Sequence, residues 1–156
     1  KIMQKQLSPE EALHRTAALC STGEQCIFDI REKLLRWGIA SDDIKQIIEK
    51  LIQGKFIDED RYCKSFVNDK LRFYKWGKIK IIYALRQKGI SSQNIDNAIN
   101  CIDEEKYLET LQEIILSKRK SIKNDTPENV KAKLFRFAAS RGFEPECINL
   151  CLKTIQ

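Results

Sequence analysis

One histidine, one methionine and three prolines occur among the 156 residues, and no Cys-x-x-Cys pair is present. A tetrahedral zinc site needs such a pair or a nearby histidine group, and two cysteines on one helical turn, Cys147 and Cys151, do not close one. No metal or cofactor is expected. The Walker, G-x-S-x-G and H-E-x-x-H motifs are missing, and His14 has only Glu10 and Glu11 beside it, which read as first-turn dipole partners. No enzyme is expected. The longest charge-free run, Thr16 to Gly23, has eight residues, far below the roughly 20 apolar residues of a membrane-crossing helix. Nothing near Lys1 reads as a charged segment followed by an apolar one, as a secretory signal would. The expectation is a cytoplasmic, membrane-free monomer. Strand-type alternation of Val, Thr and aromatics is missing, as are Asn-Gly and Asp-Gly hairpin turns.

What is present is helical punctuation. Ser8-Pro9-Glu10-Glu11 supplies an N-cap, a proline at the first helical position and a capping-box Glu, and Thr126-Pro127 repeats the cap and proline. Asp58 before Glu59-Asp60 and Ser41 before Asp42-Asp43 read as further caps with acids at the positive helix end. Lys118-Arg119-Lys120 and the stretch to Asp125 read as a helix end and a longer, flexible loop.

Gly38, Gly89 and Gly142 mark an internal repeat. Eight residues before each stand Ile30, Ile81 and Leu134, and six after stand Ile44, Ile95 and Ile148. Ten after are Ile48, Ile99 and Leu152; thirteen after are Leu51, Ile102 and Ile155. These spacings make one buried stripe, and the glycine sits where a helix C-cap needs a left-handed residue. Each unit has room for a helix upstream of this pair. The expected fold is all-α: about nine helices in tandem three-helix repeats, 1–57, 58–103 and 104–156, forming an elongated, curved array.

The six cysteines, Cys20, Cys26, Cys63, Cys101, Cys147 and Cys151, lie among apolar residues at helix-like positions and read as reduced and mostly buried.

Charge is unevenly placed. From Arg61 to Lys88 there are nine bases and one acid, and from Lys118 to Arg141 eight bases and two acids, although the whole chain carries only +6. A polyanion or an acidic protein surface is expected to dock on these segments. Helix-turn-helix operator reading is not supported, because the third helices expose Asp42, Asp43 and Glu49, or Gln93, Asn94, Asp96 and Asn97, instead of bases.

Three stretches then carry a family likeness: Phe56 to Val67 with Asp58, Arg61, Tyr62 and the Phe66-Val67 pair; Lys75 to Ile81 with Gly77, Lys80 and Ile81; and Leu85 to Ile90 with Lys88-Gly89-Ile90. In this order they resemble the RecX regulatory family, with Cys63 where the pattern has Ala. The likeness covers essentially the whole chain and is strongest from Phe56 to Ile90. It implies a non-catalytic protein of tandem three-helix repeats that binds the RecA recombinase and its nucleoprotein filament. It further implies inhibition of recombinase ATPase, strand exchange and filament extension, in DNA repair, homologous recombination and the SOS response. Direct binding to single- or double-stranded DNA is a further implied property.

The contact candidates are Arg61, Lys64, Arg72, Lys75, Trp76, Lys78, Lys80, Arg86 and Lys88, with a secondary patch of Lys118, Arg119, Lys120, Lys133, Arg136 and Arg141. Trp76, an aromatic among bases, either stacks on a partner or packs between units, and Trp37 reads as packing. Reversal of Lys75, Lys78 and Lys80 to Glu is expected to abolish filament inhibition and leave melting unchanged. The alternative is a general helical DNA-binding protein acting through phosphates.

Overall fold

The computed structural model describes residues 6–155, and among them the chain forms nine α-helices and no strand. They fall into three triplets: α1 (Pro9–Thr22), α2 (Ile27–Arg36) and α3 (Ser41–Gln53); α4 (Glu59–Arg72), α5 (Lys78–Gln87) and α6 (Ser92–Asn100); α7 (Glu104–Ser121), α8 (Pro127–Ser140) and α9 (Pro145–Thr154). The reading of the chain's start falls partly on residues 1–5, outside the described residues.

Helix starts follow the capping residues. The Glu11 N–H donates to Ser8 Oγ at 3.2 Å, the Asp60 and Arg61 N–H groups donate to Asp58 Oδ1 at 3.0 and 3.1 Å, and the Asn129 N–H donates to Thr126 Oγ1 at 3.2 Å. Ser41 is not a cap. It is the first helical residue of α3, whose N-cap is Ala40 without a side-chain bond, whereas the corresponding Ser91 caps α6 through the Asn94 N–H. The segment after α7 is short and tied down: Asp125 takes bonds from the Thr126 N–H, Asn129 Nδ2 and Lys133 Nζ. Lys133 and these amides hold its carboxyl below the usual range.

The three marker glycines build one turn three times. Gly38, Gly89 and Gly142 have φ of 77°, 69° and 95°. The next residue donates back to the same helical carbonyl each time: Ile39 to Leu34 at 3.1 Å, Ile90 to Leu85 at 3.3 Å and Phe143 to Ala138 at 3.3 Å. This is the Schellman closure, in which the residue after the left-handed one packs on the helix it terminates. In the third unit the partner is Ala138 instead of Leu34 or Leu85. Phe143, 1% exposed, is larger than its counterparts Ile39 and Ile90, and each of the three lies in its own unit's cluster.

Each triplet encloses its own apolar cluster. The first includes Ile30, Leu34, Ile44, Ile48 and Leu51; the second Tyr62, Val67, Ile81, Leu85 and Ile95; the third Tyr107, Leu111, Leu134, Phe143 and Ile148. Burying each large side chain contributes about 1.5–3 kcal/mol. The stripe shortens in the second unit, where α6 ends at Asn100 and leaves Ile102 half-buried beyond it. The accessible surface, 10419 Å², exceeds the roughly 8,100 Å² of a compact monomer of this mass, as an array of small clusters requires.

The cysteines are less uniformly buried than expected. All six are free, but only Cys26, Cys63 and Cys151 are buried, while Cys20 and Cys147 are half-buried and Cys101 is exposed. Burial pushes the Cys26 and Cys63 thiols up to about 11.

Units join through the middle helices. Neither α2 nor α5 has a side-chain cap of its own, and each is closed by the following unit. The Ile27 N–H at the start of α2 donates to Glu59 Oε2 at 3.3 Å. At α5 the Gly77 N–H donates to the Arg141 carbonyl at 2.7 Å, the Lys78 N–H to the Tyr107 hydroxyl at 2.9 Å, and the Ile79 N–H to the Gly142 carbonyl at 2.9 Å. The approach is backbone to backbone. A Cβ on Gly77 would overlap the Gly142 carbonyl and the Phe143 nitrogen, and one on Gly142 would overlap the Lys80 backbone.

Gly77→Ala is therefore expected to cost about 3 kcal/mol by overpacking, and Gly89→Ala, which meets no neighbour within 4 Å but keeps φ at 69°, about 1 kcal/mol. Urea unfolding midpoints check the order; equal losses would contradict a backbone-level junction. Reaction with Ellman's reagent in the folded state should show one fast thiol, removed by Cys101→Ser.

Candidate functional site

The basic middle unit divides its cations between two tasks. Several hold the units together. Arg61 donates through Nε to Glu24 at 3.0 Å and through Nη2 to the Lys55 carbonyl at 2.9 Å, and Lys88 Nζ meets Asp29 at 2.8 Å, both joining α4 or α5 to the first unit. Lys78 is paired with Glu104, lies over the Tyr107 ring and keeps only 15% of its side chain exposed. It joins the second unit to the third. Lys64 pairs with Asp60 at 2.9 Å within α4, and that pairing holds the Asp60 carboxyl below its usual range.

Arg72, Lys75, Lys80 and Arg86 make no ion pair among the described residues. Lys80 stands 4.5 Å from the Trp76 ring centre, and Lys70, which the candidate set did not include, stands 4.8 Å from the same ring. Lys70 also lies over Tyr74 at 4.0 Å and Phe66 at 5.3 Å. Its spacing of four from Phe66 on α4, with Tyr74 four further on just past the helix end, was the signal available in the sequence. Trp76 is half-buried against the second apolar cluster between these lysines, so its ring serves packing and ammonium placement. Trp37 likewise packs on the first cluster.

Beside the cations lies an exposed apolar group. Phe73 is 67% exposed, Tyr83 65%, and Tyr74 and Ile79 about half; Ile79, Tyr83 and Arg86 follow one stripe of α5. Aromatic and arginine side chains on an outward face are the residue types that dominate protein interfaces.

The secondary patch adjoins this face. Arg141 donates through Nη1 to the Tyr74 carbonyl at 3.3 Å and lies 5.3 Å over Phe137, whose ring also has Lys118 above it at 5.2 Å. Lys118, Lys123, Lys133, Arg136 and Phe137 line one cleft of about 680 Å³. Arg119 turns back to the Ile122 carbonyl at 3.4 Å, and Lys120 is exposed beside it. The two basic segments thus meet at Arg141. Among the described residues no three His, Cys, Asp or Glu side chains converge as a metal site would require.

Comparison with known proteins fits this arrangement. The family model for the second three-helix domain of RecX matches residues 58–99, and that for the third three-helix domain matches residues 104–152. The chain belongs to the RecX family. A regulatory protein RecX of Clostridium tetani (strain Massachusetts / E88) is 36% identical over 116 residues, 73% of this chain and 53% of the relative. That of Clostridium perfringens (strain 13 / Type A) is 30% identical over 129 residues, covering 81% and 60%. The chain therefore spans little more than half the length of these relatives. The crystal structure of RecX from Lactobacillus salivarius superposes with a TM-score of 0.81 at 20% identity, covering 94% of this chain and 95% of that one. A second, a crystal structure of regulatory protein RecX, gives 0.85 at 23% identity, covering 93% and 73%. Both establish the RecX fold. No helix among the described residues is long and apolar enough to cross a membrane.

The expectation that all of Lys75, Lys78 and Lys80 can be reversed without effect on melting does not survive the geometry. Lys78→Glu alone should cost about 2 kcal/mol, between the values for exposed and buried pairs, because it sets two carboxylates together at the junction. Lys80→Glu, which loses only the contact with the Trp76 ring, should cost about 0.5–1 kcal/mol, no more than half as much. Thermal melts of the two single variants check this.

Proposed function

We propose that this chain is the recombinase-binding part of a non-catalytic cytoplasmic regulator of RecA, with three-helix modules at 1–57, 58–103 and 104–156. It engages the RecA nucleoprotein filament as a monomer and lowers recombinase ATPase, strand exchange and filament extension. Membership of the RecX family supports the partner. The observation that carries the site is the face where Lys70 and Lys80 accompany exposed Phe73, Tyr74 and Tyr83, cations beside apolar anchors, as a protein interface requires.

A DNA-binding reading is favoured by one feature, the meeting of the two basic segments at Arg141. It predicts a different salt response. Binding through phosphates loses about 0.7–0.9 in log K per neutralised phosphate for each decade of salt, whereas an interface with aromatic anchors keeps discriminating coated from bare DNA.

The test is recombinase ATPase on single-stranded DNA, titrated with wild type and with Lys70→Glu/Lys80→Glu, beside binding to the same DNA alone. The wild type should inhibit well below one molecule per recombinase, and the variant should need at least ten times more. Inhibition only at DNA-coating concentrations would replace this reading by the phosphate one.

A further inference from the structure

Lys70 and Lys80 face one side of α4, and a second feature lies on another. Lys64, Val67, Asn68, Leu71, Arg72 and Lys75 line a cleft of about 700 Å³ that α7 and the link from α6 close on the far side. Lys64 to Arg72 span about 12 Å of α4, a little over two turns, and Lys75 just past the helix end extends the row, a length for a peptide segment more than for a small metabolite.

Its lining has two parts. The floor is aliphatic, with buried Val67 and Ala98 and half-buried Leu71 and Ile102. The rim is cationic, with Lys106 on α7 opposing Arg72 at the end of α4 and Lys75 in the link that follows it, and none of these three makes an ion pair among the described residues. Asp103 is the single acid of the lining, and its Oδ1 is committed to the Glu105 and Lys106 N–H groups at 3.0 and 3.2 Å. Arg72, Lys75 and Lys106 against this one acid leave the lining net positive.

We propose that this cleft docks an acidic amphipathic protein segment, with carboxylates along its edges toward Arg72, Lys75 and Lys106 and aliphatic side chains on the floor. Charge complementarity selects the acids, and the aliphatic floor selects peptide over nucleic acid. Bases stack on exposed aromatic rings, and the one ring in the lining, Tyr107, is 2% exposed with its hydroxyl bonded to the Lys78 N–H and Glu144. The inference concerns a different face from the one proposed above, and its test uses no recombinase.

The probe is a fluorescein-labelled 14-residue helical peptide with Leu at every third and fourth position and Glu on its flanks, measured by anisotropy against the whole chain. Arg72→Gln/Lys106→Gln should weaken binding at least tenfold and Lys80→Gln/Arg86→Gln no more than twofold. Arg72→Glu/Lys106→Glu should instead bind the peptide in which Lys replaces Glu. Circular dichroism of each variant establishes that the fold is kept. Equal weakening by both Gln pairs, or equal affinity for the peptide with Gln in place of Glu, would overturn the proposal. So would loss of oligothymidylate binding in the Arg72→Gln/Lys106→Gln variant with peptide binding intact, which would give the cleft to nucleic acid.

Discussion

Three consecutive amides at the start of α5 have no partner in their own unit, and the third unit supplies all of them. A buried N–H left unmatched costs about 1–3 kcal/mol, so the second unit is incomplete without the third. The match requires carbonyls of the Gly142 turn to come within hydrogen-bond distance of α5, and only a glycine on each side leaves room. Everything that lies between the two units follows from that contact. It sets Arg141 against Tyr74, joins the two basic segments, and places α7 across from α4 so that a cleft opens between them.

The same device appears in weaker form one unit earlier. Glu59 closes α2 as Glu104 approaches α5 through Lys78, and Tyr62 reaches Asp29 at 3.4 Å where Tyr107 reaches the α5 amide. Asp58-Glu59-Asp60-Arg61-Tyr62 and Asp103-Glu104-Glu105-Lys106-Tyr107 are thus two copies of one clamp, 45 residues apart. The first junction rests largely on half-exposed ion pairs, which salt screens, and the second on backbone bonds, which it does not. The acidic helix start that marks the family resemblance is in this chain a joint between repeats.

The helical class, the repeat and its three turns were legible because hydrophobic period and left-handed glycine are local signals. Ile30, Ile81 and Leu134 stand in the clusters where the spacing puts them. The task of each cation was not legible, because it depends on which acid another unit brings near. Lys78, Lys88 and Arg61 look like their neighbours in sequence, yet each is taken by a carboxylate 26 to 59 residues away. Gly77 gave the same difficulty. Its φ of −84° is open to any residue, and only the approach of Gly142 explains it. A local charge count therefore overstates the binding surface.

What remains after those deductions is a smaller and better-defined set of charges. Lys70 sits over three rings at 4.0 to 5.3 Å, contacts that contribute about 0.5–1 kcal/mol each at exposed sites. A free lysine loses up to about 2 kcal/mol of side-chain entropy when a partner immobilises it. For Lys70 much of that ordering accompanies folding, so a partner carboxylate or phosphate meets an ammonium already in place. The same geometry withdraws Trp76 from base stacking, since Lys70 and Lys80 both stand over its ring. Charge is presented while the indole is occupied by two ammonium groups, an arrangement suited to anionic groups held by position more than to base stacking.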